Sequence, residues 1–312
     1  MRLLITGGLG FIGSHLVDSF STKNNDIMIL TKTLSKKSNI STLNKKITIK
    51  KIDITNFQKV GKIIENFKPN IIIHLAGNTS HSKSFEKPLQ DVDSNIKTTL
   101  FMLEKIKQLK IPCRFILGST FIVIGKPKKL PVNENTACNP TTIYGTNRLA
   151  SEHLCKIYHD LYGINTNIFR ITNSYGPREQ IIPNKNAVNF LIHKAFKKEK
   201  ISIYNKGEFF RDLIYVDDVI SGINTIIKKG RSGELYWISS GNRMWFKRFA
   251  KLLQDLTKCE IDYPRTPEYT KKVDVGNFVV NNSKLKKLGW KPKVTINEGI
   301  KITLKFFESS QK

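Results

Sequence analysis

Hydrophobic residues in the first half of the chain fall in short runs, and the segments between those runs carry a helical spacing. Arg2–Thr6, Ile27–Leu30, Ile47–Ile52, Ile71–Leu75, Arg114–Leu117 and Asn165–Arg170 read as strands. A helix is expected after a glycine-rich turn, running through Phe20. Further helices are expected over Gln58–Asn66, Ile96–Gln108 and Ile143–Leu161. Apolar strands that alternate with helices belong to a parallel sheet covered on both faces, so the pattern predicts an α/β, doubly wound fold of the Rossmann type. After Asn173 the alternation loosens, with breaks at Tyr175-Gly176-Pro177 and Ile182-Pro183-Asn184. The expected organisation is a dinucleotide-binding core over residues 1–173, to which some later segments return, and an interleaved, mainly substrate-binding lobe over 174–312.

Composition narrows the function classes. The chain has 312 residues, 39% of them hydrophobic, and no apolar run approaches the roughly 20 residues that span a bilayer, so no membrane partner is expected. Met1-Arg2-Leu3 leads directly into the first strand, which leaves no room for a leader and predicts a cytoplasmic protein. Cys113, Cys138, Cys155 and Cys259 are scattered without metal-ligand spacing, so neither a metal site nor a disulfide framework is expected. The net charge of +27 raises the question of nucleic acid. Its lysines are spread along the whole chain rather than gathered on one arm, and no nucleic-acid partner is expected. A general positive field would still attract small polyanions such as nucleotide diphosphates.

Candidate chemistry begins at Gly7-Gly8-Leu9-Gly10-Phe11-Ile12-Gly13, between the first strand and the first helix. Gly7 permits the tight turn, Gly10 lets backbone approach a pyrophosphate, and Gly13 allows helix to pack closely on strand. The first helical N–H groups, at Phe11 and Ile12, then face the phosphates from the positive end of the helix dipole.

The Gly-x-x-Gly-x-x-Gly spacing is followed by Asp53-Ile54-Thr55, His74-Leu75-Ala76-Gly77, Asn95 with Thr99, Ser119-Thr120 and Tyr144. Arg170–Pro177 (RITNSYGP), Arg211–Asp218 (RDLIYVDD) and Leu288-Gly289-Trp290-Lys291-Pro292 complete the series. From Arg2 to Phe307 this ordered set resembles the extended short-chain dehydrogenase/reductase family, in its sugar-nucleotide epimerase/dehydratase branch. The resemblance implies cofactor contacts at Gly7, Gly10, Phe11, Ile12, Gly13, Asp53, Ile54, Leu75, Ala76, Gly77 and Asn95, with Asp53 near the adenine. It implies substrate contacts at Thr79, His81, Thr120, Asn173 and Arg211, the last two at the nucleotide diphosphate. It also implies a homodimer joined through the helices around Asn95–Gln108 and Ile143–Leu161.

Which dinucleotide binds turns on the end of the second strand, where an acid would hydrogen-bond the ribose of NAD. Here the strand ends in Thr31-Lys32, with Lys36 and Lys37 close behind, so NADP(H) is favoured over NAD(H). In the family, Thr120, Tyr144 and position 148 form the catalytic set. The tyrosine exchanges a proton with the sugar, and a lysine at the third position holds the nicotinamide ribose. Arg148 stands in place of that lysine, so Tyr144 keeps a neighbouring cation that cannot relay a proton. A working enzyme is the leading reading; a slow or specialised enzyme and a non-catalytic dinucleotide-binding protein are the alternatives.

Phe121-Ile122 stands where the 4,6-dehydratases of the family carry an Asp-Glu pair, which disfavours dehydration, and Phe121 also replaces the cysteine of the GDP-fucose synthase type. The remaining expectation is hydride transfer at sugar C4, by a 4-keto reductase in preference to a 4-epimerase. Gly276-Asn277 stands where relatives carry a second phosphate-binding arginine, and Lys271 or Lys272 is a substitute. The alternative for Arg211 is a surface pair with Asp212 or Glu208.

Overall fold

The computed structural model describes residues 1–41, 46–79, 81–182 and 187–310, apart from the side chains of 81, 82, 269 and 270. Pro183 and Asn184 of the second expected break lie outside the described residues. Strands β1 (Arg2–Thr6), β2 (Asp26–Thr31), β3 (Ile47–Lys51), β4 (Ile71–His74), β5 (Arg114–Thr120) and β6 (Thr166–Ile171) form one parallel sheet with Leu235–Ile238. The order is Leu235–Ile238, β6, β5, β4, β1, β2, β3. The direction of winding reverses between β1 and β4, and in such sheets ligands bind outside the carboxyl ends of the strands at that switch.

Helices α1 (Phe11–Ser21), α2 (Phe57–Phe67), α3 (His81–Glu86), α4 (Pro88–Val92), α5 (Thr98–Leu109) and α6 (Ile143–Tyr162) belong to the first half of the chain. A π-helical stretch, Asp93–Lys97, joins α4 to α5. Alternation along the strands decides what each face buries. Leu3, Ile5, Ile27, Ile29, Ile71 and Ile73 pack with Leu16, Val17 and Phe20 of α1 and with Val219, Ile223 and Ile226 of the helix Val216–Lys229. Leu4, Leu30, Ile72, Phe115 and Leu117 pack on the other face with Val60 and Ile64 of α2, Met102, Leu103 and Ile106 of α5, and Cys155 of α6. Both faces are therefore closed, as a parallel sheet requires.

Local chemistry sets the helix limits. The Asn56 side chain caps α2 by accepting from Lys59 N at 3.1 Å. Thr142 caps α6 by accepting from Gly145 N at 3.0 Å, and left-handed Gly163 ends that helix. Beyond β6, short strand pairs such as Asn173–Tyr175 with Leu213–Tyr215, and Phe210–Arg211 with Met244–Trp245, mix with helices. Among the described residues no helix is long and apolar enough to cross a membrane. No group of histidine, cysteine and carboxylate side chains there could hold a metal, and all four cysteines are free.

Candidate active site

The glycine turn lies at the β1 end of the switch. Gly7 has φ +71°, its N–H donates to Leu30 O at 2.9 Å, and its carbonyl accepts from Gly10 N at 2.9 Å. A Cβ on Gly13 would collide with the Gly7 carbonyl oxygen, so α1 packs onto the turn only because residue 13 has no side chain. Gly10 is the N-cap of α1 and no side chain caps that helix, which leaves the N–H groups of its first turn for a ligand. This cradle fits the pyrophosphate of a dinucleotide.

At the end of β2 the basic edge is largely committed to protein partners. Lys32 Nζ lies 2.9 Å from Asp53 Oδ2, the residue expected near the adenine, and Lys36 donates to Gln180 Oε1 at 3.0 Å. Burial acts to raise the Asp53 carboxyl, but bonds from Lys32 and Thr55 outweigh it and hold the group below its ordinary range. The Thr31 hydroxyl is likewise turned to Thr33 O, at 2.9 Å. The cluster expected to attract a 2′-phosphate thus already contains its own carboxylate.

On the β4 side, Thr6 Oγ1 accepts from Leu75 N and Ala76 N and lies 2.8 Å from His74 Nδ1. With both backbone donors aimed at it, Thr6 gives its own proton to His74. The imidazole then donates through Nε2 to Thr98 Oγ1 at 3.3 Å, while Thr98 donates to Ser94 O. Burial and the nearby Arg148 charge hold His74 down at about 3, so the ring is neutral. Gly77 has φ +151°, and a Cβ there would collide with Asn95 Oδ1. Ile54 is buried below the Asp53 turn, and Thr79 is exposed in the loop that follows Gly77. The side chain of His81 lies outside the described residues.

Thr120 ends β5 and Tyr144 opens α6, and their side chains meet in a hydrogen bond. Burial raises the Tyr144 phenol above its ordinary value. The Arg148 charge and the Thr120 bond act downward, while the Asp91 charge acts upward. The expected help from Arg148 is therefore present but outweighed by burial. Arg148 is 4% exposed, and its Nη1 donates to Asn95 Oδ1 at 3.2 Å. Its Nε is buried with no hydrogen-bond partner among the described residues, an open donor of the kind a ribose hydroxyl would satisfy. Phe121 and Ile122 follow Thr120 directly, and Phe121 meets the Phe278 ring edge-on at 5.2 Å, so an apolar wall adjoins Thr120 and Tyr144.

Three residues of this neighbourhood escaped the sequence. Asp91 and Asn147 bond one another at 2.6 Å. Glu152 binds Ser119, the residue before Thr120, and takes Arg170 on both oxygens, at 3.0 and 2.6 Å. Eight positions separate Glu152 from Tyr144 on one helix, and that periodicity was the signal available.

Asn173 lies half-buried, its Nδ2 donating to Asp212 O at 3.4 Å. Arg211 is no surface residue, and neither Asp212 nor Glu208 is its partner. It is buried, paired with Asp274 at 2.5 Å and bonded to the carbonyls of Gly276 and Phe210. Gly276-Asn277 thus serves the Arg211 strand itself, since Asn277 Oδ1 accepts from Phe210 N. Asp212 accepts instead from Ser240, Gly241 and Val280. Lys271 bonds Glu268 on its own helix at 2.6 Å.

A family model described as GDP-mannose 4,6 dehydratase matches residues 4–303. A putative UDP-glucose 4-epimerase of Methanocaldococcus jannaschii is 32% identical over 99% of both chains. The chain belongs to the sugar-nucleotide epimerase/dehydratase branch of the extended short-chain dehydrogenase/reductase family. Within the family it is also similar to a dTDP-glucose 4,6-dehydratase of Haemophilus influenzae, at 28% identity over 98% of both chains. The solved UDP-glucose 4-epimerase of Thermotoga maritima, determined with UDP-glucose, superposes with a TM-score of 0.92 at 29% identity over 100% of both chains. Its relatives thus include enzymes named for two reaction classes, and the residues beside Thr120 and Tyr144 bear on the choice between them.

Proposed function

We propose that this family member is a sugar-nucleotide 4-epimerase working with a nicotinamide dinucleotide, NAD(H) in preference to NADP(H). The observation that carries the reaction class is the apolar pair Phe121-Ile122 directly after Thr120. Eliminating water needs an acid and a base at the sugar in addition to the tyrosine, and these two side chains can supply neither. Epimerisation needs one group that takes and returns the proton of a single hydroxyl, and the Thr120–Tyr144 pair suffices for that. The reductase reading drew in part on a basic edge at β2, and the Lys32–Asp53 pair weakens that support. The carboxylate would repel a 2′-phosphate and offsets the Lys32 charge, which is the basis for preferring NAD(H).

In this reading the turn Gly7–Gly13 holds the pyrophosphate, Asp53 and Ile54 border the adenosine half, and Leu75, Ala76, Gly77, Asn95, Tyr144 and Arg148 border the nicotinamide half. When bound, the dinucleotide supplies a hydride acceptor and donor at sugar C4. Tyr144, in its ionised form, would accept the C4 hydroxyl proton on its phenolate oxygen as the bond to hydrogen at C4 breaks, and the resulting phenol would return it after the 4-keto sugar has presented its other face. Thr120 holds the same sugar oxygen and orients its lone pairs toward Tyr144. Arg148 favours the ionised phenol and offers Nε to the ribose. Asn173 and Arg211 border the diphosphate, and Arg211 reaches a phosphate by exchanging its Asp274 carboxylate for one.

The freshly purified protein should retain NAD and interconvert a UDP-hexose with its C4 epimer without added cofactor, followed by chromatography of the sugar nucleotides. Net consumption of NADPH on a 4-keto sugar nucleotide would return the reading to a reductase, and release of a 4-keto-6-deoxy product would make the protein a dehydratase.

A further inference from the structure

Two opposite charges lie buried in the candidate site without touching. Asp91 of α4 is 1% exposed, and its two carboxylate oxygens accept only from neutral amides, Asn78 Nδ2 at 2.6 Å and Asn147 Nδ2 at 2.6 Å. No lysine, arginine or histidine bonds it among the described residues. Arg148, next to Asn147 on α6, donates to Asn95 Oδ1, and Asn95 in turn donates to the Asp91 carbonyl at 3.2 Å. A buried carboxylate among amides is costly, and so is a buried guanidinium, which cannot shed its proton as a lysine can. Both charges act on the Tyr144 phenol, with opposite sign.

We propose that Asp91 is a positioning residue: it is the counter-charge that lets a permanently charged arginine occupy position 148, with Asn95 tying the guanidinium to the Asp91 backbone and Asn147 holding the Asp91 carboxylate. A counter-charge that makes no direct contact leaves the Arg148 Nε unoccupied, whereas a direct ion pair would tend to capture it. The proposal rests on the hydride-transfer reading only for the role of Tyr144. The groups facing Tyr144 are Arg148 from its own helix, Asp91 from α4 and Thr120 from β5, while His74 on β4 is neutral. Asp91 opposes ionisation of the phenol and Arg148 favours it. A residue that merely fills space would leave that titration unmoved.

Two measurements on the intact protein test this, and neither needs a sugar nucleotide, so they stand or fall apart from the epimerase reading. In urea unfolding, Asp91→Asn and Arg148→Met should each destabilise. The double variant should recover the folding equilibrium at least about tenfold relative to the product of the single effects. Additive effects would overturn the proposal. If Asp91→Asn alone does not fold, a folded double variant is the same positive result, and a double variant that also fails to fold counts against it. In ultraviolet titration, the Tyr144 phenol is read as the difference between a protein and its Tyr144→Phe form. Its midpoint should fall by about one pH unit when Asp91→Asn is introduced. An unmoved midpoint assigns Asp91 a packing role only.

Discussion

Tyr144 sits where burial, a cation and an anion compete for one proton. Because its phenol is the proton-exchanging group of the proposed reaction, Tyr144→Phe should lower the proposed epimerase turnover by at least about a hundredfold. Dinucleotide affinity, measured by fluorescence quenching, should change little; a variant that retains turnover would remove Tyr144 from the mechanism. At this scale the sequence was informative wherever a residue works within a short spacing. Tyr144 and Arg148 are four apart on a helix, whereas Thr120 was named by the family resemblance, since the expected strand stops at Leu117. The partner of Arg211 could not be read there, because Asp274 is 63 positions away and only folding brings them together. Asp91 stayed hidden because one acid in a polar stretch gives no hint that it is buried.

Elements carry the next set of consequences. The close packing of α1 on the turn makes Gly13→Ala a severe change, since its methyl group would press on the Gly7 carbonyl. Loss of about 1–3 kcal/mol of stability is expected, together with dinucleotide binding weakened at least about tenfold; a variant with ordinary affinity would mean the turn does not hold the pyrophosphate.

Asp212 ties the strand before Val216–Lys229 to residues 240, 241 and 280, and burial pushes its carboxyl up to about 6 despite those bonds. A carboxyl raised by folding stabilises the native state most below its unfolded value near 4, and that contribution fades as pH rises through about 6. The stability of the protein relative to Asp212→Asn should therefore decline between about pH 4 and pH 6, as read by urea denaturation at several pH values. An increase over that window would reverse the assignment.

The first six strands were legible because each is a compact apolar run. β5 extends three residues past its expected end at Leu117, because Gly118-Ser119-Thr120 continue the ladder with β6 without an apolar signature. The seventh strand, Leu235–Ile238, was not singled out, since its four residues stand alone in an irregular stretch. The helix expected from Ile96 begins as a π-helical segment, which places Asn95 where Arg148 can reach it.

For the whole molecule, the fold class was readable from alternation alone, whereas assembly is a property of surfaces. Leu100 of α5 and Ile157 and Leu161 of α6 are exposed, the last at 71%, on the helices expected to pair in a homodimer. Water contact by such residues along two adjacent helices supports a second copy as the cover. Ile157→Glu with Leu161→Glu should convert a dimer to a monomer in light scattering. A monomeric parent protein, or a variant that remains dimeric, would reject that interface.

The seventh strand also bears on how the molecule is made. Strand β6 acquires its outer neighbour only when Leu235–Ile238 has been synthesised, more than sixty residues later. While a ribosome works through that interval, the edge of β6 has unpaired backbone groups open to other chains. A fragment ending near Asn173 would keep that edge permanently. Expressed alone, it should be prone to self-association, although it contains the whole dinucleotide cradle.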